Sequence, residues 1–283
     1  MSKNFKSGSQ ESFDNNWKNR PELLYNHWCK GEPQNQIQLA FYQHHDLFKH
    51  LLNKKGKIKM LEVGCGRGSL SSFFAEEKNQ CYLLDTSESV ISRAKNIFKK
   101  NNHEAKFFVE DATKTSFPDN SFDFVVSIGL LEHFENIDDI IKEQYRILTK
   151  DGVLINYIVP ENKNNIQKDY NWINDILNVY YDNSELSKEI IKDEVFRSDA
   201  DSEVYIESYK KNGFNDIFSS GVYPLPMISH SIEFPFSLMD SKAEKLIVRH
   251  FLKILNQNNK LNKHPWLCEE SYGQAFIVKG TKS

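Results

Sequence analysis

The chain has 283 residues, 39% hydrophobic and 27% charged, and its 36 Lys+Arg stand against 39 Asp+Glu for a formal net charge of -3. That near-balance excludes a molecule-wide field that would draw in nucleic acid or an anionic membrane, and the length suits one large domain carrying an insertion. The four cysteines, Cys29, Cys65, Cys81 and Cys268, form no C-x-x-C pair and keep no zinc spacing with histidine, so reduced thiols and no metal are expected.

The opening MSKNFKSGSQESFDNN lacks the apolar run of a secretory signal, and no stretch approaches the roughly 18 apolar residues of a membrane span, so a cytoplasmic protein is expected. NNWKNRPELLYNHWCKG follows, rich in aromatics at Trp17, Tyr25 and Trp28. PQNQIQLAFYQHHDLFKHLL then sets Ile37, Leu39, Ala40, Leu47 and Leu51 at helical spacing, an amphipathic helix that carries the adjacent His44 and His45. A first strand spans Ile58 to Val63 and a second Gln80 to Asp85, before a helix in ESVISRAKNIFKKNN that Thr86 or Ser87 would cap. AKFFVED is a third strand, and FDFVVSIG, a near-continuous apolar run, is a fourth covered on both faces. IDDIIKEQYRILTKDG reads as a helix stopped by Gly152, and GVLINYIVP as a fifth strand. Strand and helix thus alternate from Lys57 to Pro160, the pattern of an α/β fold with a doubly wound parallel sheet.

Beyond Pro160 the chain turns polar and rich in Asn and Tyr, with helical pieces such as NWINDILNVYYD and SELSKEIIKDEVF. A helix ending at Gly213 leads into a strand, and SKAEKLIVRHFLKILNQNNK is an amphipathic helix offering Leu246, Ile247, Phe251 and Leu255 to the core. SYGQAFIVKGTK reads as a closing edge strand. The expected organisation is one domain over 1–283, with a helical cap over 1–55, a core over 56–160, an insertion over 161–211, and strands and a helix over 212–283 that complete the sheet.

The most informative stretch is MLEVGCGRGSLSSF, where an apolar strand runs into glycines at Gly64, Gly66 and Gly68 and then into a helix. Such a loop lets backbone approach a ligand closely. A phosphate-binding loop needs Lys and then Ser or Thr after the last glycine, and here Ser69 and Leu70 follow instead. A dinucleotide fingerprint needs a glycine where Ser69 stands, so the third glycine comes one residue early. Asp85 ends the next strand about twenty residues on, at the spacing from which a carboxylate accepts from ribose hydroxyls, a need common to NAD and S-adenosylmethionine.

Glu62-x-Gly64-x-Gly66-x-Gly68 on a strand-to-helix turn resembles motif I of the class I S-adenosylmethionine-dependent methyltransferases. VEDATKTSFPDNSFDFVV and SIGLLEHF lie where that family's later motifs fall, so the resemblance covers about Lys57 to Pro160 and extends more loosely to Lys279. It implies a Rossmann-like, mostly parallel, seven-stranded sheet with helices on both faces. It further implies S-adenosylmethionine as cofactor, held by Glu62 at its amino end, by Gly64, Cys65, Gly66 and Gly68 along the loop, and by Asp85 and Thr86 at the ribose. Asp111 and Ala112 would border adenine, Ile128 and Gly129 the methionyl end, and Trp28 would belong to an N-terminal lid.

Each assignment has a structural alternative. Glu62 could serve only a local hydrogen bond, Cys65 is a small filler rather than a nucleophile, and Glu110 should point away from Asp111 into solvent. His133, titrating near neutrality, could deprotonate an acceptor or simply fix its loop. Trp28 could be a staple onto the domain. Tyr157, Tyr170, Trp172, Tyr223 and Trp266 could wall an acceptor pocket or pack. The reading that follows is methyl transfer to an O, N or S atom of a small molecule, without nucleic acid or membrane partners. RNA or protein methylation and a non-catalytic cofactor-binding subunit are the rivals.

Overall fold

The computed structural model describes residues 26–161, 196–226, 240–258 and 264–283. Its eight strands are β1 (Lys59–Val63), β2 (Gln80–Asp85), β3 (Lys106–Val109), β4 (Phe122–Ile128), β5 (Leu148–Ile158), β6 (Phe214–Val222), β7 (Leu267–Cys268) and β8 (Ala275–Lys282). They form one sheet in the order β3-β2-β1-β4-β5-β8-β6-β7. The first five are parallel, while β8 runs antiparallel to both β5 and β6. The strand beyond the seven expected is β7, a two-residue pairing of Leu267 and Cys268 with Val222 and Gly221 at the margin. The segment expected to close the edge is interior instead. Ala275, Phe276, Ile277 and Val278 are all buried, and so unbroken an apolar run needs cover on both faces.

Six helices cover the sheet among the described residues: α1 (Gln36–Leu52), α2 (Ser69–Glu76), α3 (Glu88–Lys100), α4 (Asp138–Ile147), α5 (Ser202–Lys211) and α6 (Ser241–Asn258). Side chains alternate along each strand and so divide the core in two. Met60, Leu83, Phe124 and Ile155 meet Phe48 of α1, Phe74 of α2, Phe98 of α3 and Leu255 of α6. Leu61, Leu84, Val125 and Leu154 meet Ile140 and Ile141 of α4 and Tyr205 and Tyr209 of α5 on the other face. Each fully buried side chain of this size is worth about 1.5–3 kcal/mol in area terms, so both helical layers are needed to hold the sheet. Helix α5 falls in the range read as insertion, yet Tyr205 and Tyr209 seat it on the sheet.

Two local expectations need correction. Helix α4 ends at Ile147, and β5 begins at once at Leu148, so Gly152 lies within the strand and caps nothing. The left-handed turn is made by Asp151, at φ 59, where the pairing between β4 and β5 shifts register. In α6 it is Val248, Phe251 and Leu255 that face the core, while Leu246 is 58% exposed. No helix among the described residues is long and apolar enough to cross a membrane.

The carboxyl end of β4 is fixed from below by buried polar groups. Ser127 Oγ donates to Asn156 Oδ1 at 2.7 Å, and Asn156 exchanges hydrogen bonds with Gln144 of α4 at 3.1 and 3.3 Å. Asn156 Nδ2 also donates to Tyr209 Oη at 2.9 Å, and that hydroxyl donates to the Val278 carbonyl at 3.0 Å. Every member has a partner, which turns a costly set of buried dipoles into a rigid joint among β4, β5, β8, α4 and α5.

Candidate functional site

The loop after β1 is built by conformation and packing together. Gly68 precedes α2 at φ 68, and a Cβ there would stand 2.5 Å from Leu83 Cδ2 and 2.7 Å from Phe98 Cε2. Gly64, at φ 65, would put a Cβ 2.9 Å from Leu130 Cδ1, which shows how closely this loop approaches the turn after β4. Cys65 N–H donates to the Leu84 carbonyl at 2.9 Å, and Gly68 N–H to the Cys65 carbonyl at 2.8 Å. The Cys65 thiol is buried, and desolvation with the charges of Asp85 and Glu62 raises it well above its ordinary value, so it is no thiolate nucleophile.

Asp85 joins three segments. Its Oδ2 accepts Gly66 N–H at 3.2 Å, its Oδ1 accepts Ser87 N–H at 3.1 Å, and its carbonyl accepts Glu110 N–H at 3.2 Å. Ser87 caps α3 by accepting Val90 N–H, leaving Thr86 exposed beside the carboxylate. Glu62, 4% exposed, accepts Ser71 N–H at 3.0 Å and Ser71 Oγ–H at 2.5 Å through Oε2. Burial raises its carboxyl to about 7 against the pull of those two bonds, and the charge of Asp85 adds to the rise. Its Oε1 takes no hydrogen bond among the described residues.

At the end of β3, Asp111 Oδ1 accepts Thr113 N–H and Thr113 Oγ1–H, both at 2.8 Å, and Ala112 is buried in the core. Glu110, expected to be solvated, lies on an exposed turn, where it accepts from Ser116 N–H and Oγ–H at 2.8 and 2.6 Å. After β4, half-buried Ile128 leads to Gly129, at φ 66, whose N–H donates to the Tyr157 carbonyl at 2.9 Å. A short helical turn, Leu131–His133, follows. The segment 196–200 is strapped to it, with Ser198 N–H donating to the Glu132 carbonyl at 2.7 Å and Glu161 N–H to the Ser198 carbonyl at 2.9 Å. His133 Nδ1 lies 2.6 Å from the Phe196 carbonyl, so it carries the proton and donates, and burial pushes the ring down to about 4.

Glu62, the three glycines, Asp85, Asp111 and Gly129 therefore gather at the carboxyl ends of β1 to β4, where open α/β sheets take ligands. Trp28 is set apart. Its ring meets His103 edge-on at 4.6 Å, and His103 bonds Glu76 at the far end of α2. Its neighbour His27 is the residue that reaches the loop side, with Nδ1 2.7 Å from Ser69 Oγ. Tyr157, Tyr223 and Trp266 are buried around His44, whose Nδ1 accepts Trp266 Nε1–H at 3.0 Å, so these three pack on one another. Trp17, Tyr25, Tyr170 and Trp172 lie outside the described residues. Sequence reasoning missed Glu132, whose side chain is only 1% exposed; its signal was a carboxylate directly after the apolar Leu130 and Leu131.

Residues 61–156 match the family model of a methyltransferase domain. Over 133 residues the chain is 30% identical to a sterol 24-C-methyltransferase of Aspergillus fumigatus, covering 45% of this chain and 34% of that protein. Over 107 residues it is 33% identical to the ubiquinone biosynthesis O-methyltransferase of Pelagibacter ubique, covering 38% of this chain and 43% of that one. It thus spans less than half the length of these relatives. The fold is shared with magnesium protoporphyrin IX methyltransferase of Synechocystis PCC 6803, solved with bound SAH, at a TM-score of 0.52 and 14% identity over 98% of this chain and 96% of that one. Residues 61–156 are thus similar to a methyltransferase domain, on a fold that S-adenosylmethionine-dependent methyltransferases share.

Proposed function

We propose that this chain transfers the methyl group of S-adenosylmethionine to an O, N or S atom of a small molecule. The observation that carries this reading is the pairing of two carboxylates across the glycine loop, Asp85 tied to Gly66 N–H and Glu62 with Oε1 still open to a donor. Glu62 receives the amino end of the cofactor, and Asp85, with Thr86 beside it, receives the ribose hydroxyls. Gly64, Cys65, Gly66 and Gly68 supply backbone that approaches closely because no Cβ intervenes at the glycines. Asp111, whose Oδ1 is occupied by Thr113, offers Oδ2 to the adenine amino group, with Ala112 against the ring. Ile128 and Gly129 border the methionyl end, and Trp28 packs at the margin of an N-terminal cap.

When bound, S-adenosylmethionine supplies an electrophilic methyl carbon on a sulfonium leaving group. The chain's part is to hold that carbon in line with an acceptor and to exclude water, effects worth several kcal/mol in favourable cases. His133 has its Nδ1 proton committed to Phe196, and it fixes the loop. The near-neutral charge balance favours a small acceptor over a nucleic acid.

Calorimetric titration with S-adenosylmethionine and, separately, with NAD tests the reading. Binding of S-adenosylmethionine alone is expected, and binding of NAD alone would overturn it. Binding with no methyl uptake by amines, phenols, thiols or carboxylates would favour the non-catalytic subunit.

A further inference from the structure

We propose that Glu132, and not its neighbour His133, accepts the acceptor's proton, and that the acceptor is therefore an amine or hydroxyl that must lose one. This rests on the methyltransferase reading above. Glu132 Oε1 accepts Val159 N–H at 3.2 Å and lies 3.5 Å from the point a Cβ on Gly129 would occupy, so the carboxyl is folded directly under that turn. Its other oxygen, Oε2, is buried and has no hydrogen-bond partner among the described residues. A carboxyl oxygen shut away from water without a donor is costly, and such sites are rarely left incomplete. What completes it is an N–H or O–H brought from outside the chain.

The groups facing this carboxyl leave that place open. His133 Nε2 is 3.9 Å from Oε1, beyond hydrogen-bond distance. Arg197, on the strapped segment, acts on Glu132 through its charge, yet its own Nε has no partner among the described residues and its guanidinium lies 3.9 Å from Glu161 Oε2. Tyr157 of β5 and Tyr205 of α5 feel the charge of Glu132. Burial raises Glu132 to about 7, opposed by its hydrogen bonds and by Arg197, which matches a proton acceptor working near neutrality. His133, held near 4 with its Nδ1 proton engaged, is a poor base by the same measure. In the step, the acceptor's lone pair forms the bond to the methyl carbon as the C–S pair leaves with sulfur. The N–H or O–H proton passes to Glu132 Oε2, which becomes a neutral carboxylic acid.

Sinefungin, in which an amine-bearing carbon replaces the methylated sulfur, probes this without any acceptor, because its amine stands in place of the transferred methyl, next to the acceptor's position. Calorimetry would compare sinefungin with S-adenosylhomocysteine on wild type, Glu132→Gln and His133→Asn. At about pH 8 the preference for sinefungin should fall about tenfold in Glu132→Gln and stay within about twofold in His133→Asn, the size of one charge-assisted hydrogen bond. S-adenosylhomocysteine should bind all three alike. An unchanged preference in Glu132→Gln would overturn the proposal. Should that variant not fold, wild type decides, since its preference should rise about fivefold or more between about pH 6 and pH 8 as the carboxyl ionises, and a flat ratio would overturn it. If neither compound binds wild type, the methyltransferase reading itself fails, and this inference with it.

Discussion

Asp85 is bound on both oxygens before any ligand arrives, which makes it a hinge pin as well as a recognition group. Removing it should therefore have two separable effects. Asp85→Ala is expected to weaken S-adenosylmethionine at least about tenfold, from the loss of charge-assisted hydrogen bonds, while lowering stability by about 1 kcal/mol from the freed Gly66 and Ser87 amides. Calorimetry and thermal melting measure the two, and unchanged affinity would remove the ribose assignment. Glu62→Gln should keep its acceptor for Ser71 but lose charge at Oε1, so affinity at about pH 8 should fall about tenfold, with little change in melting at about pH 5 where the carboxyl is already neutral. Both carboxylates were legible in the sequence, Glu62 two residues before the first glycine of the loop and Asp85 at the end of the next strand. Glu132 was not, because nothing in GLLEHF says that the turn folds its carboxyl beneath Gly129. The same turn hid the duty of His133, whose partner Phe196 lies 63 residues away.

At the scale of elements, period and punctuation carried the parallel half of the sheet. Its first four strands are short runs whose ends are marked by Gly, Asp or Asn, and helices make the crossovers after β1, β2 and β4, whereas residues 110–121 join β3 to β4 without one. The antiparallel half was harder to read. Placing β8 between β5 and β6 is a long-range pairing that no local pattern encodes, and the two-residue β7 is too short to leave one. The joint centred on Asn156 is similarly non-local, since its five members come from three strands and two helices. Asn156→Leu would strand Ser127 Oγ and Gln144 and remove the donor to Tyr209, costing about 2–4 kcal/mol by denaturant titration, because each buried partner left unsatisfied costs about 1–3 kcal/mol. Since Ser127 precedes the Ile128–Gly129 turn, cofactor affinity should fall as well. A loss below about 1 kcal/mol would mean that the network is a passenger.

Across the whole molecule, buried groups of opposite sense set the pH at which the fold is firmest. Glu62 and Glu132 are raised to about 7, so the stability they contribute is present below their ordinary value near 4.5 and is lost as pH rises through about 7. His133 is depressed to about 4, so its contribution is present above its ordinary 6.5 and lost as pH falls through about 4. Each shift corresponds to roughly 3 kcal/mol, so these three groups together leave a net fall of roughly 3 kcal/mol between about pH 4.5 and 7, which His103, lowered by burial, partly offsets. On the acid side Glu77, lowered to about 2 by His45 and Lys49, and Asp46, lowered chiefly by its bond to His264, lose their stabilisation as they protonate. The ligand-free protein should therefore melt highest near pH 5 and fall away on both sides. The two neighbours in the LEH turn should shift this profile in opposite directions: Glu132→Gln removes one loss and flattens the fall above pH 5, whereas His133→Asn removes a gain and steepens it. Melting curves from about pH 4 to pH 8 separate these outcomes, and equal slopes in the two variants would mean that neither group is as desolvated as its burial implies.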